Sequence, residues 1–534
     1  STPLYSSAAS DVYKRQVVQF ANVSLAFTSF GRMQTDANVM IGSNHSHLGI
    51  ASSVSRVAIG NYAGSNNQGS KTVAMGFKAG QATQGASSVA IGISAGQTTQ
   101  GIDSISIGHT AGCNTQKANA VAIGCESGFT TQGVSAVAIG RQAGSNNQGT
   151  DAVAVGRKSG YNGQGSGAVA MGYDAGCNNQ SVYGVAIGKS ASRLTQGKDA
   201  ISIGRSAGYN TQTANAVAIG FESGYTTQGT GIAIGTKAGS NNQANDAVAV
   251  GRIAGQITQA LGAVAVGQAA GYNGQKTYAI GVGVSAGKTT QGIDSIAVGR
   301  AAGCNTQESN AIAIGFESGF TTQRVSAISI GRRAGSNNQG SNAVAIGNFA
   351  ALSAQGVDSI AIGRGAACNT QSANAVAIGF ESGYTTQSAS CIAIGKKAGN
   401  NDQGSDGTAM GRDSGLTSQG DKAIAIGPLS GKTNQGTSAI AFGYVAGSNG
   451  QGAYGMAMGS FAGRNNQGVD AIAVGRYAGC NTQTSNAIAI GAEAGFTTQR
   501  MSAISIGRRA GSNNQGSNAV AIGNFAALSA QGVD

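Results

Sequence analysis

The stretch "AVAIGRQAGSNNQG", Ala136 to Gly149, decides the fold. Alone, it reads as a glycine-rich loop that cradles a phosphate. It is not alone: a Val-Ala-Ile-Gly element begins at Val57, Val73, Val89 and Ile105 and returns every sixteen residues down to Val520. There are thirty copies, with a single fifteen-residue step from Val217 to Ile232. A repeat of this kind is a structural brick, and it takes precedence over any local motif.

Numbered from its first branched residue, the unit has a fixed grammar. Position 1 is Val or Ile in 28 of 30 copies, Thr408 and Met456 being the exceptions. Position 2 is Ala except at Ser106, Ser202, Gly281, Ser329 and Ser505. Position 3 is Ile, Val or Met, with one Phe442; position 4 is always Gly, position 12 always Gln, and position 16 small. Positions 16 to 3 therefore alternate small, branched, small, branched, the period of a β-strand with two unlike faces. Gly at position 4 ends the strand, and the Gly, Asn, Thr and Ser that follow read as turns with one short second strand. Sixteen residues cannot hold two helices. They fit one coil of an all-β, parallel β-solenoid of about thirty coils.

The expected arrangement places the branched residues of positions 1 and 3 in the coil interior. The small residues of positions 16 and 2 then face outward, where restriction to Ala or Ser implies close approach by another surface. Ala58, Ala138, Ala218, Ala313, Ala377 and Ala489 are the expected interface residues. Gln at position 12, as in Gln68, Gln84, Gln148, Gln228, Gln323, Gln387 and Gln531, is expected to form an amide ladder from coil to coil. The other reading of this row, an ice- or glycan-binding surface, asks for the same neighbours at every coil, and positions 10 and 11 vary too much for that.

Charge supplies a further pattern. Asp at position 15 is followed six residues later by Arg at position 5 in Asp151/Arg157, Asp199/Arg205, Asp246/Arg252, Asp294/Arg300, Asp358/Arg364, Asp406/Arg412 and Asp470/Arg476. Asp103 is followed likewise by His109. Six extended residues span about 20 Å, so the two cannot touch within one strand. Pairing between chains across a symmetric interface is the expectation; co-inheritance during duplication is the alternative. The duplication itself is plain, since residues 326–358 and 502–534 are identical.

Composition narrows the classes. The chain has 534 residues, 88 of them Gly, no Trp, 10% charged and 5% aromatic residues. Gly without a Gly-X-Y period excludes collagen, and strictly spaced apolar residues argue against disorder. The net charge of +12 reads as a lightly charged surface, with no basic and aromatic residues interleaved as in a nucleic-acid module. No nucleic-acid partner, cofactor, metal or catalytic set is expected. His45 and His47 are two ligands at most, short of a zinc site. "GVGVSAG", Gly281 to Gly287, approaches a dinucleotide fingerprint but is one more unit with Gly at position 2. Cys113, Cys177, Cys304, Cys368 and Cys480 share position 9 several coils apart, too far to pair within one chain. "DVYKRQ", Asp11 to Gln16, reads as a translated transposase-adapter end, so residues 1–16 are set aside as non-native. Residues 17–56 read as an irregular segment with degenerate coils such as "VMIG" at Val39–Gly42, and 57–534 as the solenoid, cut in mid-repeat.

At "NAVAIGxxAG", as in Asn119 to Gly128 with Ser127 at the penultimate place, the unit resembles the haemagglutinin-type head repeats of YadA-like trimeric autotransporter adhesins. The resemblance covers residues 57–534. This chain departs from it in its longer unit and its invariant Gln. The resemblance implies a left-handed β-roll, three chains side by side with position 2 toward the trimer axis, and a non-enzymatic cell-surface head or spacer that attaches to a host cell or matrix ligand. Any membrane anchor then lies outside this sequence. Viral and phage fibres carry similar Ala-Ile-Gly repeats, which leaves a virion fibre as the alternative.

Overall fold

A computed structural model describes residues 38–44 and 55–530. The adapter-like segment, His45, His47 and Gln531 lie outside the described residues. The chain divides into two compact units, one ending at Asn147 and one starting at Gln148. Every regular element described in either unit is a β-strand; there is no helix among the described residues.

Within each unit the strands are parallel and the coils stack in register. In the first unit Val73, Ala74 and Met75 pair with Val89, Ala90 and Ile91. In the second, Val153, Ala154 and Val155 pair with Val169, Ala170 and Met171, and the same register holds to Ile504↔Val520. The degenerate "VMIG" supplies a strand in the same register, since Val39 pairs with Val57 and Ile41 with Ile59. The fifteen-residue step leaves the register intact, Val217 pairing with Ile232. A second strand of two or three residues ends at the position-12 Gln, as in Thr99–Gln100 and Asn162–Gln164. Gly281 sits in an ordinary strand, Ile280–Val282, which disposes of the dinucleotide loop.

The faces of the main strand are the reverse of the sequence expectation. Ala58, Ala138, Ala218, Ala313, Ala377 and Ala489 are all 0% exposed in a single chain, so they are core and not interface. The branched residues point outward: Ile139 is 38% exposed beside fully buried Ala138. The cause is the width of the coil. Its lumen is filled by Ala at position 2, Ala or Ser at position 7, small residues at position 16 and the Gln of position 12. A Cβ added to Gly160 at position 8 would lie 2.6 Å from Gln164 Oε1. Where position 8 is not Gly it is no larger than Ala or Ser, as at the buried Ser192, Ala351 and Ala367, and so narrow a space has no place for Val or Ile. The period-2 alternation is as read, but a strand offset by one residue exchanges its two faces.

Gly at position 4 is fixed by stacking. Its φ lies near +125°, as at Gly363 (+127°), and a Cβ there would meet the carbonyl oxygen of Gly379 in the next coil at 2.5 Å. Gly363→Ala is expected to destabilise its coil by about 2–3 kcal/mol. Hydrogen exchange of the amides of residues 360–362 and 376–378 should accelerate while distant coils stay unchanged, because each coil contacts only its neighbours.

Candidate functional site

Three features of the surface and lumen bear on function. The first is the outward face of the main sheet. In the second unit positions 1 and 3 form two rows of branched aliphatic side chains along twenty-four stacked strands, on the order of 110 Å at the usual strand spacing. Position 3 is often more than a third exposed, with Met171 at 42% and Phe442 at 50%. Exposed apolar residues at position 14, among them Ile293, Val357 and Val469, flank the rows. The strip exceeds severalfold the few hundred Å² of contiguous apolar surface that monomeric proteins leave in water. The sequence signal for it was the branched identity of position 1, read with the opposite orientation.

The second feature is the amide ladder, which lies inside the coil. Gln84, Gln148, Gln228, Gln323 and Gln387 are between 0 and 2% exposed. A surface role for this row is thereby excluded. Gln68 donates from Nε2 to Gln84 Oε1 at 2.7 Å, Gln148 to Gln164 at 3.1 Å and Gln387 to Gln403 at 3.2 Å. Gln228 and Gln323 accept from Gln212 and Gln307. Each amide also spans the lumen: Gln387 Nε2 donates to the Val376 carbonyl at position 1, 2.8 Å away.

The ladder explains the four Ser exceptions at position 2. Ser106, Ser202, Ser329 and Ser505 each donate their hydroxyl to the Oε1 of the Gln in the same coil, at 2.5–2.7 Å. The hydroxyl fits where only a methyl stood because it satisfies a buried acceptor. The lumen thus holds one connected polar element per coil inside a wall of methyl groups.

Gln371 tests how much this matters. It accepts from Gln355 at 3.2 Å and donates to Ile360 O, Ala375 O and Gln387 Oε1 at 2.9, 3.0 and 3.0 Å. Gln371→Leu keeps the bulk and removes every one of these bonds, with an expected loss of about 2–4 kcal/mol. Limited proteolysis should then open new sites within residues 356–391.

The third feature is the charged margin at positions 5 and 6. The Asp–Arg pattern has local causes on both sides. Position 15 is left-handed, with φ of 57° at Asp199 and 58° at Asp470, and Asn occupies the same place at Asn215 and Asn310. Asp and Asn tolerate that conformation better than other residues. Asp151, Asp246, Asp294 and Asp358 share it. Asp246 also accepts a hydrogen bond from Thr230, and Asp358 one from Asn342.

The Arg residues pack on aromatic rings one coil on. Arg205 lies over Phe221 at 4.2 Å, Arg300 over Phe316 at 4.4 Å, Arg364 over Phe380 at 4.3 Å and Arg157 over Tyr173 at 5.3 Å. Arg476 sits by Tyr477 and, at 3.7 Å, by Glu493; Arg252 has no such ring. Basic and aromatic residues therefore do interleave, in space rather than along the chain. Their separation by one period was the signal for it. His109 takes the Arg place in its group, with Nδ1 4.0 Å from Cys125 Sγ of the next coil.

The described residues assemble no group of three or more metal-ligating side chains. All seven Cys are free. Burial pushes the thiols of Cys113, Cys177, Cys304, Cys368 and Cys480 up, away from the thiolate form. Cys391, fully buried at position 16, is raised by burial to about 11. Such thiols are poor nucleophiles at neutral pH. Comparison of the chain with protein-family models and with curated proteins gives no match.

The Cys391 shift carries a pH dependence. The folded state holds this proton more tightly than the unfolded chain does. Its contribution is therefore complete below the ordinary thiol range near 9 and is lost as pH rises through about 11. Melting temperature measured from pH 8 to 11 should fall less steeply in Cys391→Ala than in the unaltered protein.

Proposed function

We propose that this chain is a non-enzymatic fibrous surface protein, the head or spacer of a trimeric adhesin, whose Val/Ile face packs against two further copies of itself. The exposed aliphatic rows carry this reading. All-parallel sheets are found with both faces covered, and here one face is closed by the coil's own lumen while the other is open. The cover must match a strip as long as the stack and repeat at the coil spacing. A second copy of the same chain meets both demands without any new design. An interface of this length exceeds the ordinary 1,200–2,000 Å² of stable complexes. The number three comes from the resemblance to adhesin head repeats, as does placement at a cell surface where the fibre attaches to a host cell or matrix.

This reading moves the axis-facing residues from position 2 to positions 1 and 3. Ile314, Ile330 and Ile346 are adjacent rungs of the strip, and the first two are 38% and 37% exposed. Converting all three to Lys leaves the Ala and Gln lumen untouched. Light scattering at micromolar concentration should give a trimer for the unaltered chain and a smaller species for the triple variant, with the β circular dichroism of both alike. A monomeric unaltered chain overturns the proposal.

A further inference from the structure

The charge of the second unit is concentrated on one margin of the coil. Positions 5 and 6 there hold sixteen Lys and Arg against six Asp and Glu, a net +10, whereas the unit as a whole carries +8. The rest of its surface is therefore slightly acidic. The excess is not a lightly charged surface but a stripe.

Within the stripe the two positions differ. Position 6 neutralises itself from coil to coil: Glu317 pairs with Arg333 at 2.6 Å, Glu222 with Lys237 and Glu381 with Lys397 at 3.5 Å, and Glu493 with Arg509. Position 5 carries no acidic residue of its own in this unit, and only Arg412 and Arg476 reach a carboxylate, Asp413 and Glu493 of position 6, each at 3.7 Å. Arg300, Arg332, Arg364 and Lys396 are all exposed and make no ion pair among the described residues. Three of them are held in place by the ring of the next coil: Arg300 on Phe316, Arg332 on Phe349 at 5.2 Å, and Arg364 on Phe380. Stacking of a guanidinium on an aromatic face orients it while its N–H fork stays free to bind a planar anion.

These four cations fall thirty-two residues apart, one on every second coil. At the usual strand spacing that is a row of single positive charges about 9.6 Å apart. A nucleic-acid strand brings a phosphate for about every 3.4 Å of rise, so most of its charges would go unmatched. An extended acidic polysaccharide with an anionic group on each disaccharide brings one charge per two sugar rings, which is the spacing of two coils. We propose that the position-5 row from Arg300 to Lys396 is a docking surface for a linear acidic polysaccharide of the uronate-bearing class, with one carboxylate per disaccharide, laid parallel to the solenoid axis.

The test uses the full chain and two probes of equal total charge, a hyaluronan oligosaccharide, which carries one carboxylate per disaccharide, and a single-stranded oligothymidylate, with affinities measured at physiological salt. One variant carries Arg300→Gln, Arg332→Gln, Arg364→Gln and Lys396→Gln. A control variant removes four exposed cations from other rows: Lys276→Gln, Arg324→Gln, Lys422→Gln and Arg500→Gln. The expected result is tighter binding of the hyaluronan than of the oligothymidylate, a tenfold or greater loss in the row variant, and a loss of less than threefold in the control. Equal losses in the two variants, or no loss in the row variant, overturn the proposal. So does equal or tighter binding of the oligothymidylate, which would point to nucleic acid or to unspecific charge. Light scattering on the same samples reads the oligomeric state separately, so a failure of docking and a failure of self-association are distinguishable.

Discussion

The narrowness of the lumen governs this protein. Each coil encloses a space that admits methyl groups and one primary amide, and the residue preferences of the enclosed positions follow from that limit. Ala at positions 2, 7 and 16 lines the wall. Gly at position 8 clears the Gln side chain, as the 2.6 Å approach at Gly160 shows. The Gln reaches across to the carbonyl of position 1, and in interrupted runs, such as Gln339 to Gln403, also to the next Gln, so the backbone of the two strands is tied together through the interior. A buried amide is costly when unpaired and specifying when paired. Here it sets the register, since a strand offset by one residue would place a branched side chain where the amide must pass.

The tight circuit also demands unusual backbone. Besides Gly at positions 4 and 8, the sixteen-residue coils turn through left-handed residues at positions 6 and 15, and these are seldom Gly. Ile253 and Val445 adopt φ of 53° and 57° at position 6, a conformation that β-branched residues avoid. Strain of this size persists only where neighbouring structure over-determines it. The neighbour here is the coil on either side, through bonds such as Ile253 N to Thr236 O at 2.8 Å. Terminal coils lack one such neighbour, and that is why solenoids depend on stacking rather than on any single coil.

Much of this was legible in the sequence, because period and composition report stacking directly. The sixteen-residue coil, the strand at positions 1 to 3, and the turn at Gly140 and its equivalents stand in the structure as read; the amide ladder stands too, but in runs such as Gln339 to Gln403 rather than unbroken from coil to coil. The orientation of the strand was not legible from alternation, which separates two faces without saying which one is enclosed. Hydrophobicity favours Ile139 inside and volume favours Ala138, and volume wins because the coil is too small for both. The informative sign was restriction of size. Positions 2, 7, 16 and 12 admit almost no variation, as enclosed positions must, whereas positions 5, 6 and 14 vary freely in water. The Arg205–Phe221 stack escaped notice because its partners lie one full coil apart and never adjoin in the chain.

An Ala-lined lumen has a consequence for how such a chain is held together. Ala buries little apolar area, so the hydrophobic contribution per coil is small compared with that of a solenoid filled by Val and Ile. The larger aliphatic groups of this protein sit outside, where they contribute only when another surface covers them. Within the coil the apolar contribution is small, so folding there rests mainly on hydrogen bonds. That division suits a chain that grows by duplication. A block such as residues 326–358, repeated at 502–534, brings its own lumen, its own Gln rungs and a matching length of outward strip. Adding coils therefore lengthens the stack and its exposed strip together, with no other part of the structure needing to change.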